Sequence, residues 1–376
     1  MNTDHGYTRM ITSHGRTRIN TEEQATDKYR GMTTMIRACR RFAVVIAVMA
    51  LGCTLAAQTV KITGAGATFP YPIYSKWFSE YNKLHKNVEI NYQSIGSGGG
   101  VKQLTSQTVF FGASDYPLTP EQQQTAPGKI LHFPTVLGAV VPIYNIPGVT
   151  AELKFTGPLL ADIFLGNITK WNDSRIAKLN EGVTLPNTDI TVVHRSDGSG
   201  TTYIFVDFLA KLSPEWKKRV GVAGSVNWPV GLGAKGNEAV AGMVKQTPGA
   251  LGYTEPAYAT ENKIAFGSVQ NAAGKFIKAS AASVTAAAAA AVKQMPADFR
   301  VSITNPPGDD AYPVASFTWL LLYQDPKDKA LAKIMVDFTK WALTDGQKYA
   351  ADLGYAPLPQ GVVDLEMKSL ATIKTQ

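Results

Sequence analysis

Residues 190–212 read Ile-Thr-Val-Val-His-Arg-Ser-Asp-Gly-Ser-Gly-Thr-Thr-Tyr-Ile-Phe-Val-Asp-Phe-Leu-Ala-Lys-Leu. The β-branched run from Ile190 to Arg195 predicts a strand. Ile204, Phe205, Phe208, Leu209 and Leu212 recur at the spacing of one helix face. Between them lies Asp197-Gly198-Ser199-Gly200-Thr201, residues that turn a chain and cap a helix. Strand, glycine-rich loop and helix in that order are the building unit of an α/β domain with a largely parallel sheet.

The same grammar extends in both directions. Val60 to Thr63 predicts a strand, Gly64 to Phe69 a loop, and Pro70 and Pro72 a helix start, with Ile73, Tyr74, Trp77, Phe78, Tyr81 and Leu84 on one face. Val88, Ile90 and Tyr92 alternate as a strand that runs into Gly96-Ser97-Gly98-Gly99-Gly100, with a helix expected from near Val101. Val109 to Ser114 predicts another strand, and Thr119-Pro120-Glu121-Gln122 a helix start with a capping box. Further on, Val136 to Ile146 is strand-like, Leu159 to Trp171 is helical, and Ser213-Pro214-Glu215 opens one more helix. The alanine run Ala286 to Ala291, flanked by Val284 and Val292, predicts a helix of high propensity. No internal repeat interrupts this order.

A length of 376 residues allows two or three domains. With 45% hydrophobic residues, 18% charged residues and a mean hydropathy of −0.06, the composition excludes a disordered chain, a collagen-like repeat and a polytopic membrane protein. The net charge of +8 is unevenly placed. Residues 1–57 hold eight Lys and Arg against four Asp and Glu, which leaves 29 against 25 in residues 58–376. No dense basic stripe follows, so no nucleic-acid partner is expected. Cys39 and Cys53 both precede residue 58.

Arg37, Arg40 and Arg41 stand ahead of the apolar run Phe42 to Leu51, and the small residues Gly52, Ala56 and Ala57 follow. That is the order of a secretory signal, and ten apolar residues are too few for a spanning helix. Residues 1–57 are therefore read as a leader with a signal peptide cleaved near Ala57. The polar stretch 1–31 is out of place ahead of a signal, which points to a translation start at Met32 or Met35. Cys53 invites comparison with a lipid-attachment cysteine, but Ala50 stands where such a motif has a large aliphatic residue. Arg40-Arg41 reads as a plain basic segment rather than a twin-arginine signal.

Three Gly/Ser/Thr loops, Gly64 to Phe69, Gly96 to Gly100 and Asp197 to Thr201, each join a strand end to a helix start. In open α/β sheets that rim binds ligands. Helix amino termini offer unpaired N–H groups and about half a positive charge each, so three together suit an anion. Thr68, Ser97, Ser199 and Thr201 add hydroxyl groups. One such loop is better explained by ordinary N-capping; three in one chain favour the anion reading.

Arg195 ends the strand feeding the third loop and can clamp an oxyanion with its fork of donors. Asp115 closes the strand Val109 to Ser114 at the same rim. A carboxylate beside an anion makes sense when the ligand carries a proton for it to accept. Hydrogen phosphate has that proton and sulfate lacks it, so an unpaired buried acceptor rejects sulfate. For Asp115 the alternative of a turn-initiating residue ahead of Pro117 stays open.

Thr63-Gly-Ala-Gly-Ala-Thr-Phe-Pro70, Gly96-Ser97 followed by Gly-Gly-Val-Lys-Gln103, Phe111-Gly-Ala-Ser-Asp115, Arg195-Ser-Asp-Gly-Ser-Gly-Thr201 and Trp228-Pro-Val-Gly-Leu-Gly233 resemble the periplasmic phosphate-binding proteins of phosphate ABC transporters. The resemblance runs through residues 60–365 in order. It implies a two-lobed type II periplasmic-binding-protein fold, each lobe a mostly parallel sheet flanked by helices, joined by a two-strand hinge. By the same resemblance, one lobe comprises residues 58–136 with 311–376 and the other 137–310, with crossings near Val136 and Ala311. Thr68, Phe69 through its backbone N–H, Ser97, Asp115, Arg195, Ser199, Gly200 and Thr201 are then expected to contact phosphate, and Asp197 to orient Arg195. The resemblance implies a monomeric receptor without cofactor, metal or catalysis. Its implied partners are the permease and ATPase subunits of a phosphate importer. Gly98, Phe110 and His194 depart from common family residues without removing an expected ligand; His194 should face away from Arg195 as its strand neighbour.

Other patterns carry less. Gly231-Leu-Gly-Ala-Lys-Gly236 fits a dinucleotide glycine motif, but Asn227-Trp228-Pro229 ahead of it makes a poor strand, so Asn237 reads as a cap before a helix. His85, His132 and His194 are too scattered for a zinc site. Ser199 lacks the setting of a nucleophile elbow. A phosphate-ester hydrolase, which also needs an anion cradle, remains the competing enzyme reading, and arsenate the competing ligand.

Overall fold

The computed structural model describes residues 59–376 except 293 and 294, and in the amino-terminal stretch Met32, Met35, Arg37, Cys39 and Arg40. The apolar run Phe42 to Leu51, Cys53 and the expected cleavage point near Ala57 lie outside the described residues.

From Val60 the chain forms β1 (Val60–Gly66), α1 (Tyr71–Leu84), β2 (Val88–Ser94), α2 (Ser97–Thr105), β3 (Phe111–Ser114), α3 (Pro120–Thr125) and β4 (Ile130–Ala139). There follow β5 (Val141–Asn145), β6 (Lys154–Phe155), α4 (Gly157–Phe164), α5 (Ser174–Leu179), β7 (Thr191–Arg195), α6 (Gly200–Leu212), α7 (Pro214–Arg219), β8 (Leu232–Ala234), α8 (Gly236–Gln246) and β9 (Ala250–Thr254). The chain closes with α9 (Pro256–Glu261), β10 (Ala265–Phe266), β11 (Ser268–Gln270), β12 (Phe276–Ile277), α10 (Ala281–Val292), β13 (Ala315–Tyr323), α11 (Lys329–Leu343) and α12 (Gln360–Leu370).

Two five-stranded sheets result, in the orders β2-β1-β3-β13-β4 and β10-β5-β9-β7-β8, with a small third sheet β12-β11-β6. In the first, β2, β1, β3 and β4 run one way and β13 runs against its neighbours. In the second, β5 alone is reversed. Each sheet thus has four strands in one direction and one returning strand, so the two are mixed sheets, with two of four pairings parallel in each, rather than the mostly parallel ones expected. All nine residues of β13 are buried, as a central strand covered on both faces requires.

Helix faces follow the sequence periodicity. On α1, Ile73, Tyr74, Trp77, Phe78 and Tyr81 are buried. Phe78 packs on Phe111 and Phe338 with ring centroids 6.0 and 5.1 Å apart. The expected capping box forms at α3: the Thr119 hydroxyl accepts from the Gln122 N–H, and the Gln122 side chain accepts from the Thr119 N–H. Ser213 caps α7 with a single bond, its hydroxyl accepting from the Trp216 N–H at 3.2 Å.

Several boundaries differ from the sequence reading. Val136 to Ile146 is not one strand. The chain leaves the first sheet at Val140 and enters the second at Val141, which local hydrophobicity cannot register because both strands are buried. The first sheet therefore keeps the chain through Ala139, beyond the expected change at residue 136. Helix α10, expected in the second lobe, packs on β4 and β13 of the first sheet. The helix expected over Leu159 to Trp171 stops at Phe164, because Gly166 takes φ +81° and ends it; Trp171 instead donates its indole N–H to the Gly249 carbonyl. Among the described residues, no helix is long and apolar enough to cross a membrane.

Candidate functional site

The amino termini of α1, α2 and α6 and the end of β3 meet where loops from the two large sheets touch. Thr68, Phe69, Ser97, Asp115, Arg195, Ser199 and Thr201, though spread over more than a hundred positions in sequence, are all 3% exposed or less. The meeting is made by direct bonds. Ser97 is saturated: its hydroxyl accepts from the Gly200 N–H at 3.1 Å and the Asp115 N–H at 3.2 Å, and donates to Asp115 Oδ2 at 3.3 Å. The Gly98 N–H donates to the Gly198 carbonyl at 2.9 Å, tying the second loop to the third. Only glycine fits at position 200, because a Cβ there would lie 2.4 Å from the Asp115 carboxylate and 2.6 Å from Ser97 Oγ.

Arg195 is anchored on every side. Its Nε and Nη2 donate to the two oxygens of Asp197 at 2.7 and 2.6 Å. Its Nη1 donates to Asn237 Oδ1 at 2.7 Å and to Thr68 Oγ1 at 3.1 Å, and reaches Thr201 Oγ1 at 3.5 Å. Its backbone N–H donates to the Tyr253 hydroxyl. Burial works against ionisation of Asp197, but the paired guanidinium and the Gly236 N–H hold its carboxyl below the usual carboxylate range. A buried pair of this geometry fixes the guanidinium and cancels most of its charge. An anion in the cradle is therefore met chiefly by hydrogen-bond donors and helix termini rather than by free charge.

Asp115 is different. Its Oδ1 accepts from the Thr318 hydroxyl at 2.7 Å, and its Oδ2 faces Ser97. Burial pushes its carboxyl up to about 7, against the opposing pull of the Thr318 bond, the Arg195 charge and the Ser97 bond. An ionised acceptor is what the sequence predicts; enclosure in the fold raises its titration toward neutral pH.

Ser199 combines both roles weighed from sequence. Its hydroxyl oxygen caps α6 by accepting from the Thr202 N–H at 3.0 Å, a use that leaves its own proton available. Among the described residues, neither the Thr68 N–H nor the Phe69 N–H has a partner. The Phe69 ring is buried edge-on to Tyr355, which anchors the first loop from below. His194, on the other face of β7, lies at 4.8 Å and 13° to the Trp228 ring.

Asn237, Thr318 and Tyr253 were not anticipated. Asn237 is no cap, since α8 begins at Gly236 after Lys235, but a buried acceptor for Arg195 whose Nδ2 has no partner among the described residues. Thr318 lies 203 residues from the carboxylate it holds, and Tyr253 contacts Arg195 over 58 residues. No local pattern marks such partners. Only the alignment of strand ends in the folded sheets brings them to the rim.

The description "PBP superfamily domain" matches residues 53–345. A phosphate-binding protein PstS of Pasteurella multocida is 47% identical over 322 residues, covering 85% of this chain and 93% of that protein. One from Haemophilus influenzae is 45% identical, covering 88% and 96%. In fold, the chain is similar to the crystal structure of a phosphate-binding protein from Stenotrophomonas maltophilia, with a TM-score of 0.63 at 21% identity over 82% of this chain and 93% of that one. The chain belongs to the PBP superfamily, within the family of the PstS phosphate-binding proteins.

Proposed function

We propose that the protein captures inorganic phosphate between two lobes in the periplasm and delivers it to the membrane subunits of an ABC importer. The observation that carries this reading is Asp115, a buried carboxyl set among three helix amino termini and a fixed guanidinium. An anion site normally excludes carboxylates. One is useful here because hydrogen phosphate brings a proton that the carboxylate accepts, so that ligand and Asp115 share one proton across a hydrogen bond.

In this reading Thr68, Ser199 and Thr201 supply hydroxyls, Phe69 a backbone N–H, and Arg195 its remaining donor capacity, with Asp197 and Asn237 holding the guanidinium in place; Ser97 and the Gly200 N–H join them by exchanging their bonds to each other and to Asp115 for bonds to the anion. The crossings between the halves include Val140, whose N–H meets the Val314 carbonyl at 2.8 Å and whose carbonyl accepts from the Tyr312 hydroxyl. Rotation about these crossings opens the cradle, and closure removes water and strengthens each hydrogen bond. Release to a permease then needs only that the lobes part.

No covalent step is required by this arrangement. The test is calorimetric titration of the protein with phosphate, sulfate and a phosphomonoester, together with a turnover assay on the ester. Tight binding of phosphate with no hydrolysis supports the receptor; turnover of the ester favours a hydrolase.

A further inference from the structure

The planar peptide joining Thr68 to Phe69 carries the Thr68 carbonyl on one edge and the Phe69 N–H on the other, pointing in opposite directions. The Thr68 carbonyl accepts from the hydroxyl of Tyr258, 190 residues further along the chain. Tyr258 stands on α9, directly after β9 of the second large sheet, whereas Thr68 follows β1 of the first. The Phe69 carbonyl is held by the Tyr355 hydroxyl at 2.6 Å. Tyr355 belongs to the first half, because its neighbour Ala356 bridges to Leu137 of β4. The two carbonyls of this turn are thus gripped from opposite halves of the molecule.

We propose that Tyr258 is a positioning residue for the bound anion: by holding the Thr68 carbonyl it aims the Phe69 N–H, on the far edge of the same peptide, into the pocket, and it does so only when the halves are together. The inference rests on the phosphate reading above. Tyr258 is buried, and its hydroxyl also lies 3.2 Å from Glu238 Oε1. Burial, with the nearby Glu238 and Glu255 carboxyls, pushes that hydroxyl well above its ordinary value, so it keeps its proton and remains a donor. The Tyr355 bond persists in open and closed forms. The Tyr258 bond exists only on closure, so it acts on the escape of the ligand and not on its arrival.

The test compares Tyr258→Phe, Tyr355→Phe and the wild type by stopped-flow measurement of inorganic phosphate binding, with melting temperatures of the unliganded proteins. For Tyr258→Phe the dissociation rate should rise by about tenfold, as expected for a buried carbonyl that loses its donor, while the association rate and the unliganded melting temperature stay unchanged. Tyr355→Phe should lower the unliganded melting temperature, because its bond lies within one half. A wild-type dissociation rate in Tyr258→Phe, or a drop in its unliganded melting temperature matching that of Tyr355→Phe, overturns the inference. A wild type that binds no phosphate instead overturns the functional reading beneath it.

Discussion

The replacement Asp115→Asn probes the logic of the cradle most sharply. Asparagine keeps the volume of the side chain and still accepts from Thr318 through Oδ1, but the atom facing Ser97 and the pocket changes from an acceptor to an N–H donor. With burial pushing the wild-type carboxyl up to about 7, the unliganded protein carries mainly the carboxylate at pH 8.5. Sulfate then faces a buried negative charge with no proton between them. Sites that read a ligand hydrogen in this way discriminate by about 10⁴–10⁵, or roughly 5.5–7 kcal/mol. In Asp115→Asn the repulsion is gone and a donor stands in its place. Sulfate should gain about a hundredfold while phosphate, whose proton loses its acceptor, weakens about tenfold. Calorimetry with both anions at pH 8.5 reads the ratio directly. Lowering the pH through about 7 protonates the wild-type carboxyl, so its sulfate affinity should climb toward that of the variant, whose own affinity stays flat. A phosphate-to-sulfate ratio unchanged by the substitution, with wild-type sulfate binding independent of pH, would refute the proton-reading role.

Three other outcomes are expected. Arg195→Ala should weaken phosphate by about 2–5 kcal/mol, seen mainly as faster dissociation, because it removes a buried charged donor and leaves Asp197 unpaired; a dissociation constant close to wild type takes Arg195 out of the site. Gly200→Ala should abolish measurable phosphate binding in a protein that still shows a cooperative melt, since the added methyl collides with Asp115 and Ser97, and normal affinity would contradict the close approach. Glu366 is fully buried, neither oxygen has a partner among the described residues, and burial pushes its carboxyl well above the usual range. The folded protein keeps this proton while the unfolded chain releases it near pH 4.5, so the group's contribution is complete below that pH and is lost as pH rises above it. The melting temperature of Glu366→Gln relative to wild type should therefore increase from about pH 4 to pH 8; a constant difference counts against the assignment.

The parts of this molecule that were legible in the sequence are those whose signal is local. Glycine and hydroxyl residues between a β-branched run and an amphipathic face mark a strand-loop-helix unit, and the caps at Thr119 and Ser213 form as their spacing predicts. The gathering of Thr68, Ser97, Asp115 and Arg195 at one rim follows from parallel strands, whose ends align whatever their separation in sequence. What local patterns missed is relational. Asn237 resembled a cap because its pairing with Arg195 spans 42 residues, and Thr318 sits in a uniformly buried strand where its hydroxyl stands out only once Asp115 is opposite. The crossing at Val140 has no local signal for the same reason, as two buried strands joined end to end read as one. The ionisation of Asp115 also depends on enclosure by both halves, which sequence reports only indirectly.

The most direct test of the whole account is titration of the protein with phosphate and with sulfate, side by side at pH 8.5. The account predicts saturable binding of one phosphate per protein, with sulfate weaker by about 10⁴-fold or more. Equal affinity for the two anions, or no binding of phosphate, would contradict it.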